Sequence, residues 1–126
     1  MPRKILIVED NSRFAEMLAI LLNDAGYETS LAKTSGQGIG KALTEHPDLV
    51  LTDLNLPDMT AIETITILKK IPFTSGIPIV VLTAETARQL KTKALQAGAA
   101  EYLLKPIAPR DLLNVIRRVC RPARFK

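Results

Sequence analysis

Two kinds of apolar pattern alternate along this chain. Ile5-Leu6-Ile7-Val8 after Lys4, Leu49-Val50-Leu51, and Ile77 to Leu82 are unbroken aliphatic runs, interrupted only by Pro78. They are too short for helices, and their lack of a polar alternate position predicts strands covered on both faces. Pro78 falls near the start of its run, where a missing donor is tolerable. Two weaker strands are predicted at Tyr27–Leu31 and Ala100–Leu104. Between the runs, apolar residues recur at helical spacing. Phe14, Leu18, Leu21, Leu22 and Ala25 form one stripe, stopped by Gly26. Ile39, Ala42 and Leu43 form a second, in a helix that begins after Lys33-Thr34-Ser35 and ends near Glu45, before Pro47. Gly36, Gly38 and Gly40 weaken its start and have a structural role only, because neither a Walker lysine nor a dinucleotide fingerprint accompanies them. Thr60-Ala61-Ile62-Glu63 matches a capping box ahead of a third stripe, Ile62, Ile65 and Leu68. A fourth helix, from about Thr86 to Ala97 before Gly98, carries only Ala87, Leu90, Ala94 and Leu95, and a helix so sparsely buried is easily shifted. Pro109 opens a fifth, with Leu112, Val115, Ile116 and Val119 inward.

Five strand–helix alternations predict an α/β fold: a doubly wound five-stranded parallel sheet with right-handed crossovers and helices on both faces. With 126 residues, 47% of them hydrophobic, the chain can build one real core and is read as one domain without repeats or linkers. No apolar stretch approaches a membrane span, and Met1-Pro2-Arg3-Lys4 leads into a strand without a signal-peptide pattern, so a cytoplasmic protein is expected. Cys120 is the single cysteine and His46 the single histidine, which argues against disulfide, thiol or zinc chemistry. The net charge of +4 invites a nucleic-acid reading. No acid follows Asp111, however, while Arg117, Arg118, Arg121, Arg124 and Lys126 do. The excess therefore reads as a solvated helix end and a basic tail rather than a DNA-binding arm.

The chemistry gathers where buried strands meet their loops. The first strand delivers Glu9 and Asp10, the third Asp53, the fourth Thr83 and the fifth Lys105. Each has an ordinary reading: Asp53 can turn the chain, Thr83 can cap a helix, Lys105 can be a surface lysine. A parallel sheet, however, brings the carboxyl ends of its strands to one crevice. Three carboxylates there need a compensating cation; hard oxygen donors with room for water favour Mg²⁺, and Lys105 adds a second positive charge. Such a set suits phosphoryl transfer.

Val8-Glu9-Asp10-Asn11, Asp53-Leu54-Asn55-Leu56-Pro57, Thr83-Ala84, Tyr102 and Lys105-Pro106, in this order, resemble the receiver domain of two-component response regulators over essentially the whole chain. The resemblance implies the flavodoxin-like (βα)5 fold with strand order 2-1-3-4-5, a receiver domain over residues 1–121 and a basic tail over 122–126. It implies that Asp53 is the phosphoacceptor, taking a phosphoryl group from a sensor histidine kinase or a histidine phosphotransfer protein. Asp10, Asp53 and the Asn55 backbone carbonyl would hold Mg²⁺, with Glu9 helping directly or through water. Lys105 would pair with one phosphoryl oxygen and Thr83 would donate to another, with Ala84 leaving room. Tyr102 would act as the switch that turns inward and alters the face of helix four, strand five and helix five toward an output domain, a downstream protein or a second copy. Lys105-Pro106 resembles the family's cis peptide. Such a protein is a signalling switch, not an enzyme beyond gaining and losing its own phosphate.

Two departures stand out. Ala61 occupies a position where many members of the family have Gly, whose wider backbone freedom Ala lacks, so a small local change is expected. Arg88, Lys91 and Lys93 make helix four basic in a typically acidic family. The alternatives are a phosphorylation-independent interaction module, against which Asp10, Asp53, Thr83 and Lys105 argue, and an enzyme on a similar sheet. An aspartate-nucleophile hydrolase would place its Asp after the first strand, and a flavodoxin would need a hydroxyl- and glycine-rich loop where Glu9-Asp10-Asn11 stands.

Overall fold

A computed structural model describes residues 2–120; the basic tail, 122–126, lies outside them. The elements are β1 (Lys4–Val8), α1 (Ser12–Asp24), β2 (Glu28–Ala32), α2 (Ser35–Glu45), β3 (Leu49–Thr52), α3 (Ala61–Lys70), β4 (Ile79–Thr83), α4 (Arg88–Ala97), β5 (Glu101–Leu104) and α5 (Pro109–Val119). All strand pairs are parallel, in the order β2-β1-β3-β4-β5. The three aliphatic runs became the three central strands, because only there does the sheet hide both faces of a strand.

Strand alternation sorts the core into two layers. Leu6, Val8, Val50, Ile79 and Val81 pack with Ala42, Ile65, Leu68 and Ala94 of α2, α3 and α4. Ile5, Ile7, Leu49, Leu51, Val80 and Leu82 pack with Leu18 and Leu22 of α1 and Leu112 and Ile116 of α5. The capping box forms as expected: the Thr60 hydroxyl accepts from Glu63 N, and the Glu63 carboxylate accepts from Thr60 N.

Several expectations are corrected. Leu43 is exposed rather than inward; α2 instead buries Ser35, Gly38 and Ala42, small residues that let it lie close to the sheet. A Cβ on Gly38 would stand 2.9 Å from Val8 Cγ2. The helix ends at Glu45 as expected, and His46 after it adopts a left-handed conformation with φ 48°. Ala25 is exposed, and Gly26, with φ 99°, stops α1 as expected. Strand β4 starts after Pro78, whose carbonyl still accepts from Val50 N, and α4 starts at Arg88, two residues later than its pattern suggested. Ala61 is the buried first residue of α3 with no positive φ, so the methyl group costs no backbone strain.

Candidate functional site

The ladder hydrogen bonds run one residue beyond the strands and fix the site backbone. Glu9 N donates to Ala32 O at 2.9 Å, Asp53 N to Val8 O at 3.0 Å, and Lys105 N to Thr83 O at 2.8 Å. Three strands thus deliver their next residue to a common edge. Lys105 Nζ reaches Glu9 Oε1 at 3.0 Å and Asp53 Oδ2 at 3.1 Å. Its ammonium also lies 4.3 Å from the centroid of the Phe14 ring, a cation–π contact that helps aim it. Carboxylate oxygens of Glu9, Asp10 and Asp53 all lie within 4.8 Å of one another. The Asp53 Oδ1 atom accepts from Asn55 N at 3.3 Å, and Glu9 Oε2 from Asn11 N at 3.1 Å. Asn11 in turn caps α1 through Phe14 N, so the acidic loop and the ring under Lys105 are placed by one helix start.

Burial sets the electrostatics. The Glu9 side chain is 4% exposed, that of Asp53 14% and that of Lys105 21%. Desolvation raises the Glu9 pKa, against the lowering effect of the Asn11 N–H and the Lys105 ammonium. Lys105 is also desolvated, which by itself would favour the neutral amine, but its bonds to Glu9 and Asp53 prevail and raise its pKa. The two shifts point in opposite directions for the ion pair. Both hold: two carboxylates facing one ammonium keep the lysine charged, while burial makes Glu9 easier to protonate than an ordinary carboxylate. With all groups ionised, three carboxylates against one ammonium leave the crevice two charges negative. A hard, oxygen-seeking dication fits such a donor set.

Thr83 and Tyr102 lie beside this cluster and are joined through one residue. The buried Thr83 hydroxyl accepts from Glu85 N at 3.2 Å, which uses a lone pair and not the proton. The Tyr102 hydroxyl donates to Glu85 O at 2.9 Å, and its ring is buried against the α4 layer, so it already points inward. Burial raises the Tyr102 pKa, which keeps the phenol protonated and donating. Ala84 is exposed, and Lys105-Pro106 is cis.

Three features escaped the sequence reading. Phe14 served as a core residue there, yet it also carries Lys105. Asp58 binds the start of α2, accepting from Ser35 N and Gly36 N at 2.9 Å each. An apolar groove of about 380 Å³ lies between α1 and the loop before α5, bounded by Phe14, Met17, Ile20, Pro106, Ile107 and Pro109. Met17 and Ile20, 57% and 62% exposed, had no place in the predicted stripe and so gave no signal.

The 2-1-3-4-5 sheet that carries this crevice is shared with a known class. The chain belongs to the response regulator receiver domain family, whose model matches residues 5–117. Over 117 residues, 93% of the chain, it is 38% identical to the DNA-binding response regulator MtrA of Mycobacterium tuberculosis. The chain spans about half the length of the curated relatives it matches, 50% in that case. A CheY-like response regulator receiver domain from Methanospirillum hungatei superposes with TM-score 0.90 at 32% identity, over 95% of this chain and 94% of that one. The receiver domain of the sensor histidine kinase PA1611 from Pseudomonas aeruginosa superposes with TM-score 0.88 at 26% identity, over 97% of this chain and all of that one. That structure holds a magnesium ion coordinated in its active-site cleft.

Proposed function

We propose that this domain is a phosphorylatable switch of a two-component or phosphorelay system, with Asp53 as its phosphoacceptor. The observation that carries the reading is the Lys105 ammonium, bridged between Asp53 and Glu9 beside a third carboxylate, Asp10. A lone acceptor would need none of that arrangement. An Asp53 oxygen forms a bond to phosphorus, the bond to the donor's histidine nitrogen breaks, and its electron pair leaves with the imidazole. Lys105 and the free proton of Thr83 then satisfy phosphoryl oxygens. Glu9, Asp10, Asp53 and the backbone carbonyl of Asn55 would hold Mg²⁺, which supplies charge neutralisation to the transferring group. Loss of that phosphate by hydrolysis is the only other chemistry the domain would perform.

The donor in this reading is a sensor histidine kinase or a histidine phosphotransfer protein in the cytoplasm. The apolar groove beside Phe14 and Pro106 supports docking of such a partner, since it adjoins the crevice and leaves Met17 and Ile20 uncovered. No helix among the described residues is long and apolar enough to cross a membrane. Readout runs through Thr83 and Tyr102 to α4, β5 and α5. Drawing the Thr83 hydroxyl toward phosphate would lengthen its bond from Glu85 N and disturb with it the Tyr102 contact, biasing a pre-existing equilibrium toward an output domain, a downstream protein or a homodimer.

The test is intact mass after incubation with acetyl phosphate, with and without Mg²⁺, alongside Asp53→Asn. A Mg²⁺-dependent gain of one phosphoryl group, absent from the variant, is expected. A folded native chain that gains none would refute the switch chemistry and leave a phosphorylation-independent interaction module.

A further inference from the structure

The loop from Asn55 to Thr60 is closed on itself and then tied to a different helix. Ala61 N donates to Leu54 O at 2.8 Å, and Asn55 and Thr60 form an antiparallel bridge, so Leu56-Pro57-Asp58-Met59 is the tip of a small hairpin. That tip does not hang free. The two Asp58 carboxylate oxygens accept from Ser35 N and Gly36 N, each at 2.9 Å, and Oδ1 also accepts from Met59 N at 3.1 Å. The buried Ser35 hydroxyl donates to Met59 O at 3.3 Å. A helix start leaves four N–H groups without intrahelical partners. In α2 the Thr34 side chain meets one of these, accepting from Gln37 N, while its carbonyl takes the first intrahelical bond, from Gly38 N. Those of Ser35 and Gly36 go to a carboxylate 23 and 22 residues further along the chain. An acid at a helix N-terminus also meets the positive end of the helix dipole, which makes this clasp directional as well as hydrogen-bonded.

We infer that Asp58 is a positioning residue: by fixing the hairpin tip to α2 it sets the Asn55 backbone, and therefore the affinity of the acidic crevice for Mg²⁺. The inference rests on the reading of Asn55 as a carbonyl ligand. At the base of the hairpin, Asn55 N already leans on Asp53 Oδ1 at 3.3 Å, a long bond that by itself gives the loop little constraint. Losing an outer group that orients a metal ligand typically costs about 10–100-fold in metal affinity.

Asp58→Ala removes the clasp, Asp58→Asn keeps one acceptor oxygen, and Thr34→Ala removes the other cap of the same helix without touching the hairpin. Backbone amide resonances of the ¹⁵N-labelled full chain are followed during titration with MgCl₂. Asp58→Ala is expected to weaken Mg²⁺ binding about tenfold, the low end for outer-shell groups, with Asp58→Asn intermediate and Thr34→Ala unchanged. Before any Mg²⁺ is added, the Asn55 and Thr60 amides should already be displaced in Asp58→Ala and unmoved in Thr34→Ala. Equal Mg²⁺ affinity in native, Asp58→Ala and Thr34→Ala proteins overturns the inference and makes the clasp structural only. A native chain that ignores Mg²⁺ overturns instead the reading of the site on which the inference depends.

Discussion

Two glycines of α2, two residues apart, should respond in opposite directions to the same substitution. Gly40 is exposed, and a Cβ there would meet nothing within 4 Å. Gly40→Ala therefore collects the helix-propensity gain alone, about 0.5–1 kcal/mol. Gly38 faces Val8, and an added Cβ would stand 2.9 Å from Cγ2 and 3.3 Å from Cγ1. Val8 cannot easily yield. It is β-branched and buried, and it is paired on both sides, with Ala32 and Thr52. Overpacking of a tight core costs about 1–3 kcal/mol, which exceeds the propensity gain and leaves a net loss on the order of 1 kcal/mol. Urea titration followed by circular dichroism reads both variants. With a slope of about 1–3 kcal/mol per molar, the two midpoints should move apart by roughly 1 M, Gly40→Ala upward and Gly38→Ala downward. If Gly38→Ala proves as stable as the native chain or more so, α2 has room to retreat from the sheet, and the close-packing argument for that glycine fails.

Other expectations concern protons and motion. Burial raises the Glu9 pKa, so the fold favours protonated Glu9, and stability without Mg²⁺ should fall as pH rises through the interval between the unfolded and folded values. Mg²⁺ affinity should fall in the opposite direction, as acid protonates Glu9 at a higher pH than an ordinary carboxylate; calorimetric titration across that range should show a step that Glu9→Gln abolishes, and a persistent step would assign it elsewhere. Helix α4 buries only Ala94 and has no side-chain N-cap, whereas α3 buries Ala61, Thr64, Ile65 and Leu68 behind a complete capping box. Native-state hydrogen exchange should therefore be about tenfold or more faster in α4 than in α3, the factor that 1.4 kcal/mol of local stability represents. Equal protection would remove the physical basis for placing the movable element there.

What the sequence disclosed depended on whether a feature is local or set by packing. The central strands were legible because double burial writes an unbroken aliphatic run, and the start of α3 because its cap is spelled out by Thr60 and Glu63. The crevice followed from topology: once Glu9, Asp53 and Lys105 each end a parallel strand, their convergence needs no further information. Leu43 misled because an apolar residue at helical spacing carries no label for which stripe the sheet will accept. The sheet accepted the small residues of α2, and a small side chain has little hydrophobic signal to read. The Asp58 clasp could not be seen at all, since neither the Pro57-Asp58 turn nor the Thr34-Ser35 cap needs the other until folding brings them together.

The same distinction bears on how a signal could leave the site. Thr83 and Tyr102 sit on adjacent strands, but their hydroxyls meet through the backbone of Glu85, one at its N–H and the other at its carbonyl. In the proposed switch a pull on the Thr83 hydroxyl would displace the group on which Tyr102 depends, whatever side chain stands at position 85. That side chain has a separate task, accepting from Ala87 N just ahead of α4. Since α4 has no other side-chain cap at its start and one buried residue along its length, a small movement of the Glu85 backbone acts on the helix least able to resist it. Strong tethering at Glu9, Asp53 and Lys105 and weak tethering at α4 are therefore complementary. In the proposed switch the first would hold the charges where phosphoryl transfer needs them, and the second would let a displacement of one peptide spread over a whole face.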